Sequence, residues 1–213
     1  MWSVQATQRR TRHAARGKEE LLQATVKVIA QRGLEQARFV DIAAATGVAI
    51  SSLQYFFGAR EDLLLAAVGH AAQQEIELLQ DVATRRLDAH QRLRQLLHLA
   101  LGDPSRCAES RLFWNEVRNG ALRNPELRAP YMRMYEAWAS MIEDTLERGK
   151  QTGAFARSVN PRPAALQILA VIDGLTTPLL VEDPAVEDKN AYQLASEVVE
   201  SLLGIDRSLV EIA

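Results

Sequence analysis

The sequence predicts an all-α protein of about nine helices. Three observations carry that expectation. Apolar residues recur at steps of three and four along most of the chain. No segment sustains period-two alternation, and prolines and glycines fall at helix-length intervals. No internal repeat or low-complexity tract interrupts the pattern.

In chain order, a basic stretch comes first, followed by a helix expected from Gly17 to Arg32. Leu21, Thr25 and Val28, with Leu22, Val26 and Ile29 beside them, form its apolar stripe, while Lys18, Glu19, Lys27 and Gln31 face water. Gly33 closes it. Two short segments follow, one with Phe39, Ile42 and Ala43 on an apolar face, the other running from Ile50 to Phe56. A fourth helix is expected from Arg60 to about Val82, with Glu61 and Asp62 favourably placed in its first turn. Beyond it, Asp103-Pro104, Asn124-Pro125 and Asn160-Pro161 each pair a good N-cap with proline at the first helical position, where no hydrogen bond is lost. With Gly102, Gly120, Gly153 and Gly204 near helix ends, these signals place helices at about 88–101, 104–121, 125–151, 161–181 and 190–204.

The stretch from Arg38 to Phe57 is the most informative. Gly47 ends its first segment, since a residue without Cβ accepts the left-handed conformation a sharp stop requires. Val48 plugs the corner, and Ser51, Ser52, Gln54 and Tyr55 give the second segment polar side chains. This is helix-turn-helix punctuation, although ordinary helical hairpins share parts of it. Such a helix fits the major groove of B-DNA, where short polar side chains near its start reach base edges. Ala24 and Gly33 upstream, Asp41-Ile42-Ala43 and Gly47-Val48 within, and Leu53, Phe57 and Arg60-Glu61-Asp62-Leu63 downstream together resemble the DNA-binding domain of the TetR family of bacterial one-component regulators. That likeness covers roughly the first third of the chain. A looser one covers the rest. Phe113-Trp114-Asn115-Glu116, Asn124-Pro125-Glu126-Leu127, Tyr135-Glu136-Ala137-Trp138, Gly149 through Phe155 and Ile172-Asp173-Gly174-Leu175 are similar to the ligand-binding region of the BetI branch. The resemblance implies a basic arm over 1–15, a DNA-binding domain over 16–76 with its motif at about 38–57, and a ligand-binding and dimerisation domain over 77–213.

The chain departs from the family pattern in three places. Gln54 stands where tyrosine often follows the Leu53 position, and Arg60 stands where lysine is usual. Ala37 and Arg38 occupy the place of the threonine or serine that often precedes the second helix. That change removes a cap and a hydroxyl contact to phosphate, for which the charge of Arg38 substitutes.

Composition bounds the rest. The 213 residues are 47% hydrophobic and 24% charged, a balance that buries a core. The longest apolar run, around residues 168–181, is interrupted by Asp173, Thr176, Thr177 and Pro178, so no membrane span is expected. No apolar segment follows the basic start, so no secretory signal is expected either. One cysteine, Cys107, excludes an internal disulfide and fits a reducing cytoplasm. The net charge of −2 hides an asymmetry: residues 1–18 hold Arg9, Arg10, Arg12, Arg16 and Lys18 and no acid, which is +5 and leaves −7 on the remainder. A basic arm on an acidic body directs one end at a polyanion, with a solvated tail as the alternative.

For double-stranded DNA, the expected contacts are Ser51, Ser52, Gln54 and Tyr55, joined by Ile50 and Phe56 on the same helix. Gln54 suits adenine through paired amide bonds, and Tyr55 suits a phosphate or sugar. Arg38, Arg60, and Arg12 and Arg16 of the arm are expected at phosphates. One small head buries too little surface for tight binding, so a homodimer on a two-fold related site is expected. The candidate interface takes Leu166, Leu169 and Leu175 from the 161–181 helix and Leu194, Val198 and Leu202 from the 190–204 helix. In the family the corresponding helices form an intersubunit four-helix bundle. For a small-molecule effector, Phe113, Trp114, Tyr131, Tyr135 and Trp138 either line an apolar pocket, with Glu116, Arg118 and Asp173 as polar groups, or fill a core. Trp114, Tyr135 and Trp138 have the chemistry to cage a cation, with Glu116 or Asp173 as counter-charge.

Catalysis finds little support. His13, His70, His90 and His98 are dispersed without metal-ligand spacing, and neither a phosphate loop nor a G-x-S-x-G motif occurs. No metal or cofactor is expected. Cys107 reads either as a redox sensor or as a small residue near a helix start. The expected function is a cytoplasmic, homodimeric regulator of transcription, a repressor released from DNA by a small effector. The competing reading is an all-α interaction protein that keeps the fold without specific DNA binding, which Gln54 and Ala37 would permit.

Overall fold

A computed structural model describes residues 2–102, 104–205 and 209, with side chains described for 17–102, 108–187, 190–205 and 209. The side chains of Arg12, Arg16 and Cys107 and the expected cap Asp103 therefore lie outside the described residues. Every element among the described residues is helical: α1 (Trp2–Arg32), α2 (Phe39–Thr46), α3 (Ile50–Phe57), α4 (Arg60–Thr84), α5 (Ala89–Leu97), a π-helical segment (His98–Gly102), α6 (Pro104–Ala121), α7 (Pro125–Thr152), α8 (Pro161–Leu180) and α9 (Asp188–Leu203).

These bounds follow the proline and glycine punctuation closely, with two exceptions. Helix α1 begins at Trp2 and not at Gly17, because the basic stretch is dominated by Ala, Gln and Arg, all good helix formers. The fifth helix loosens into the π segment, where Gly102 makes room for the His98 ring; a Cβ there would meet His98 Cδ2 at 2.6 Å. Capping also differs from one site to the next. Asn124 Oδ1 accepts the Glu126 N–H at 3.0 Å and caps α7, whereas Asn160 holds the N-cap position of α8 without a side-chain bond.

The chain divides into two compact units, Met1–Gln74 with Leu112–Tyr131, and Glu75–Arg111 with Met132–Ala213. Residues 112–131, expected with the second region, fold with the first. In the first unit Ile29, Ile42, Leu53, Leu63 and Ala67 are fully buried and share one core with Phe113 and Val117 of α6 and Leu127 of α7. Each large aliphatic side chain so buried contributes about 1.5–3 kcal/mol. Gly120 serves this packing and does not stop a helix: a Cβ there would lie 2.6 Å from Leu34 Cδ2 and 2.9 Å from Leu127 Cδ1.

In the second unit, α8, α5 and the π segment pack on α9. Leu93, Leu96, Leu101, Ile142, Leu146 and Leu203 supply the buried core. Arg162 at the start of α8 ties it to α7, donating to Glu136 at 2.8 Å and to Glu143 at 3.3 Å. By length and composition alone α8 is long and apolar enough to cross a membrane, a test that core helices also pass, and 22% of its most apolar stretch is buried. One Arg and one Asp in its twenty residues do not offset the aliphatic content. That leaves apolar surface on α8 to be covered.

Candidate nucleic-acid interface

The site is built from two eight-residue helices whose axes turn by 114°, within the range of helix-turn-helix pairs. Each is anchored through one fully buried residue, Ile42 on α2 and Leu53 on α3. The turn is braced three ways. Gly47 is left-handed at φ +70° and its N–H reaches the Ala43 carbonyl at 2.9 Å. Val48 is half-buried against the core. Thr46 donates its hydroxyl to the Ile42 carbonyl at 2.7 Å and accepts the Val48 N–H at 3.2 Å. The sequence reading missed Thr46; the signal was a hydroxyl residue directly before the turn glycine.

At the start of α2, Ala37 is fully buried and Arg38 is the N-cap residue. Asp41 makes the reciprocal bond of a capping box: its Oδ2 accepts the Arg38 N–H at 3.0 Å, while its other oxygen pairs with Arg32 at 3.2 Å. Arg38 keeps an exposed side chain at the positive end of the helix, where an anion is favoured.

On α3, Ser51 and Gln54 are exposed and Ser52 is half-buried. Tyr55 is 84% exposed, Phe56 73% and Ile50 39%. The Tyr55 and Phe56 rings meet edge to face with centroids 5.3 Å apart. Neither an acid nor a base occurs in α3.

Arg60 departs from expectation. Its Nε donates to the Ala37 carbonyl at 2.5 Å, and one terminal nitrogen reaches the carbonyls of Leu34 at 2.6 Å and Glu35 at 2.8 Å. The other terminal nitrogen bonds Glu61 at 3.0 Å. The guanidinium thus closes the α1–α2 connection onto the start of α4, and these bonds compete with the expected phosphate contact. Glu61's carboxyl lies below its ordinary range, first through a backbone hydrogen bond and then through Arg60.

The expected effector set is divided. Phe113, Trp114 and Tyr131 pack in the first unit, with ring centroids 5.0 Å apart for Phe113–Trp114 and 6.3 Å for Trp114–Tyr131. In that unit Glu116 accepts the Leu34 N–H at 2.9 Å, and Arg118 donates to Asn115 at 2.8 Å. Tyr135, Trp138 and Asp173 belong to the second unit, where burial first and the charge of Asp173 second push the Tyr135 phenol up. Of the residues named for the cage, Trp114 belongs to the first unit and Tyr135 and Trp138 to the second. Of the candidate interface residues, Leu166 is 41% and Val198 49% exposed, while Leu175, Leu194 and Leu202 are half-buried. Leu169, only 5% exposed, is corrected to a core residue of its own protomer.

A braced helix-turn-helix with an outward polar and aromatic face defines a DNA-binding regulator. Family comparison agrees. Residues 17–67 match the bacterial regulatory proteins of the tetR family, and residues 89–204, more than half of the chain, match the C-terminal region of BetI-type transcriptional repressors. The chain belongs to the TetR family of transcriptional regulators. The fatty acid metabolism regulator protein of Bacillus subtilis (strain 168) is 25% identical over 188 residues, which is 86% of this chain and 92% of that protein. Among solved structures, a transcriptional regulator from Saccharomonospora viridis in complex with choline superposes with a TM-score of 0.82 at 25% identity, covering 91% of this chain and all of the other. A TetR-family regulator from a Rhodococcus species superposes with a TM-score of 0.76 at 28% identity, covering 88% and 98%.

Proposed function

We propose that two copies of this chain, paired through α8 and α9, seat their α3 helices in major grooves of a two-fold related operator, and that a small molecule held by the second unit releases them. The observation that carries the DNA seat is the division of α3 into a sealed Leu53 and an outward face of Ser51, Gln54, Tyr55 and Phe56. Arg38, beside the start of α2, is the proposed phosphate contact. Pairing is supported by the uncovered aliphatic surface of α8 and by the exposure of Leu166 and Val198.

The relatives point to two effector chemistries: the S. viridis regulator holds choline, and the B. subtilis protein is named for fatty acid metabolism. The second unit favours an apolar body with an anionic head. It contains an open pocket of about 700 Å³ lined by Leu87, Phe155 and Ile205 together with His90, Arg148, Gln151 and Thr152, within the size range of small-molecule sites. The one acid in that lining, Asp88, already accepts the Gln91 N–H at 2.8 Å as the cap of α5. Burial, then the charge of Arg148, lowers the pKa of Arg92, with Asp144 acting in the opposite direction.

Selection of the purified dimer on randomised duplexes tests the DNA part, and a two-fold related consensus is the expected result. Titration of that complex with a long-chain fatty acid and, separately, with choline tests the effector part, with release expected from the first. Release by choline alone would reassign the effector as a cation. A dimer that selects no consensus would move the protein to the interaction reading.

A further inference from the structure

We infer that the base pairs read by α3 are predominantly A·T, recognised through thymine methyl groups and adenine edges. This rests on the DNA-binding reading above and specifies the kind of duplex that the face fits.

Guanine presents two acceptors, N7 and O6, to the major groove, and the side chains that satisfy both are arginine and lysine. Helix α3 carries neither. The nearby arginines do not fill the gap. Arg60 holds three backbone carbonyls, Arg32 pairs with Asp41, and Arg38 stands ahead of α2, one helix away. Cytosine presents an amino donor, which an acidic side chain would accept, and α3 has no acid.

What α3 does carry matches the other pair. The Gln54 amide offers one donor and one acceptor, the complement of adenine N7 and N6–H₂. The edge-to-face pair of Tyr55 and Phe56 exposes ring surface suited to pack against a C5 methyl, with the Tyr55 hydroxyl left for a phosphate or sugar. Ile50 adds aliphatic surface one turn before Gln54 on the same side of the helix. On an uncharged face of this composition the Ser51 and Tyr55 hydroxyls suit either pair, so discrimination falls to methyl contact and to the Gln54 amide, and both select A·T.

The test uses the intact dimer at one fixed salt concentration, since affinities at different salt are not comparable. The duplexes selected from the random pool are sequenced, and thymines in the selected half-site are replaced one at a time by uracil, which removes only the methyl group. The expected consensus is A·T-rich where α3 sits. Uracil at the contacted positions is expected to weaken binding about fourfold, the equivalent of one buried methylene. The Phe56→Ala variant, whose altered residue is exposed, is expected to lose that sensitivity at the thymine Phe56 covers. A two-fold consensus built on G·C pairs would overturn the inference and leave the operator reading intact. An A·T consensus indifferent to uracil would overturn the methyl contact. No consensus at all would remove the operator reading and this inference with it.

Discussion

The outward sides of α3 and α8 both leave apolar side chains uncovered, yet they are built differently. Helix α3 is short and pinned by a single sealed leucine, and its exposed carbon is interleaved with hydrogen-bonding groups from Ser51, Gln54 and Tyr55. Helix α8 is twenty residues long with 22% of its most apolar stretch buried; Gln167 and Thr177 are exposed on it, but its Thr176 hydroxyl turns back to the Ile172 carbonyl at 2.9 Å and most of its uncovered side chains are aliphatic. A face that meets water in one state and a base-pair edge in the other needs polar groups on its surface. A face covered by a second copy does not. Exposed apolar area alone therefore does not identify a partner; the polar atoms mixed into it do.

The comparison breaks most severely at the root of α3. Leu53→Ala is expected to reduce the stability of the first unit by roughly 2–5 kcal/mol, the range for emptying a sealed leucine site, and to abolish DNA binding with it. Denaturant unfolding measures the first effect. Arg60→Met, which keeps much of the volume but removes the donors, is expected to lower stability by about 1.5–3 kcal/mol. The dependence of DNA affinity on salt is expected to stay unchanged in that variant. A slope smaller by about one unit would instead assign Arg60 to a phosphate. On the other face, Leu166→Glu combined with Val198→Glu is expected to give monomers by sedimentation velocity with unaltered helicity. Persistent dimers would place the interface elsewhere.

The smallest effect concerns the α7–α8 tether. Arg162 holds the Glu136 carboxyl below its ordinary range, chiefly through their hydrogen bond. A depressed carboxylate stabilises the fold above its unfolded pKa and loses that contribution as pH falls through the folded value. Arg162 stays charged throughout that window, so only the carboxylate titrates. The difference in thermal midpoint between the native chain and Glu136→Gln is therefore expected to be present at neutral pH and to vanish as pH falls below about 4.

The reading head was legible because its signals are local. Gly47, Val48, Leu53 and the Ser51–Tyr55 run each act within a turn of their own position, and the X-Pro pairs announce helix starts directly. What escaped the sequence depends on distant partners. Arg60 is expected at a phosphate from its charge, and only the fold shows that its fork also reaches the carbonyls of Leu34, Glu35 and Ala37. The bond of Glu116 to the Leu34 N–H, 82 positions away, is likewise invisible in the sequence. Phe113 and Trp114 have the composition of a ligand box, and nothing in their spacing distinguishes that from the core of the first unit that they complete. The basic stretch was read by its charge, although the helix propensity of its Ala, Gln and Arg residues determined its backbone.

The most direct test of the account compares Gln54→Ala with the native chain on operator and on non-specific duplex across a range of salt. The account predicts a specificity ratio reduced by roughly five- to a hundredfold, the worth of one base-directed contact, with the salt slope and thermal midpoint unchanged. Equal losses on both duplexes, or no loss on either, would contradict the claim that the uncharged face of α3 reads the bases.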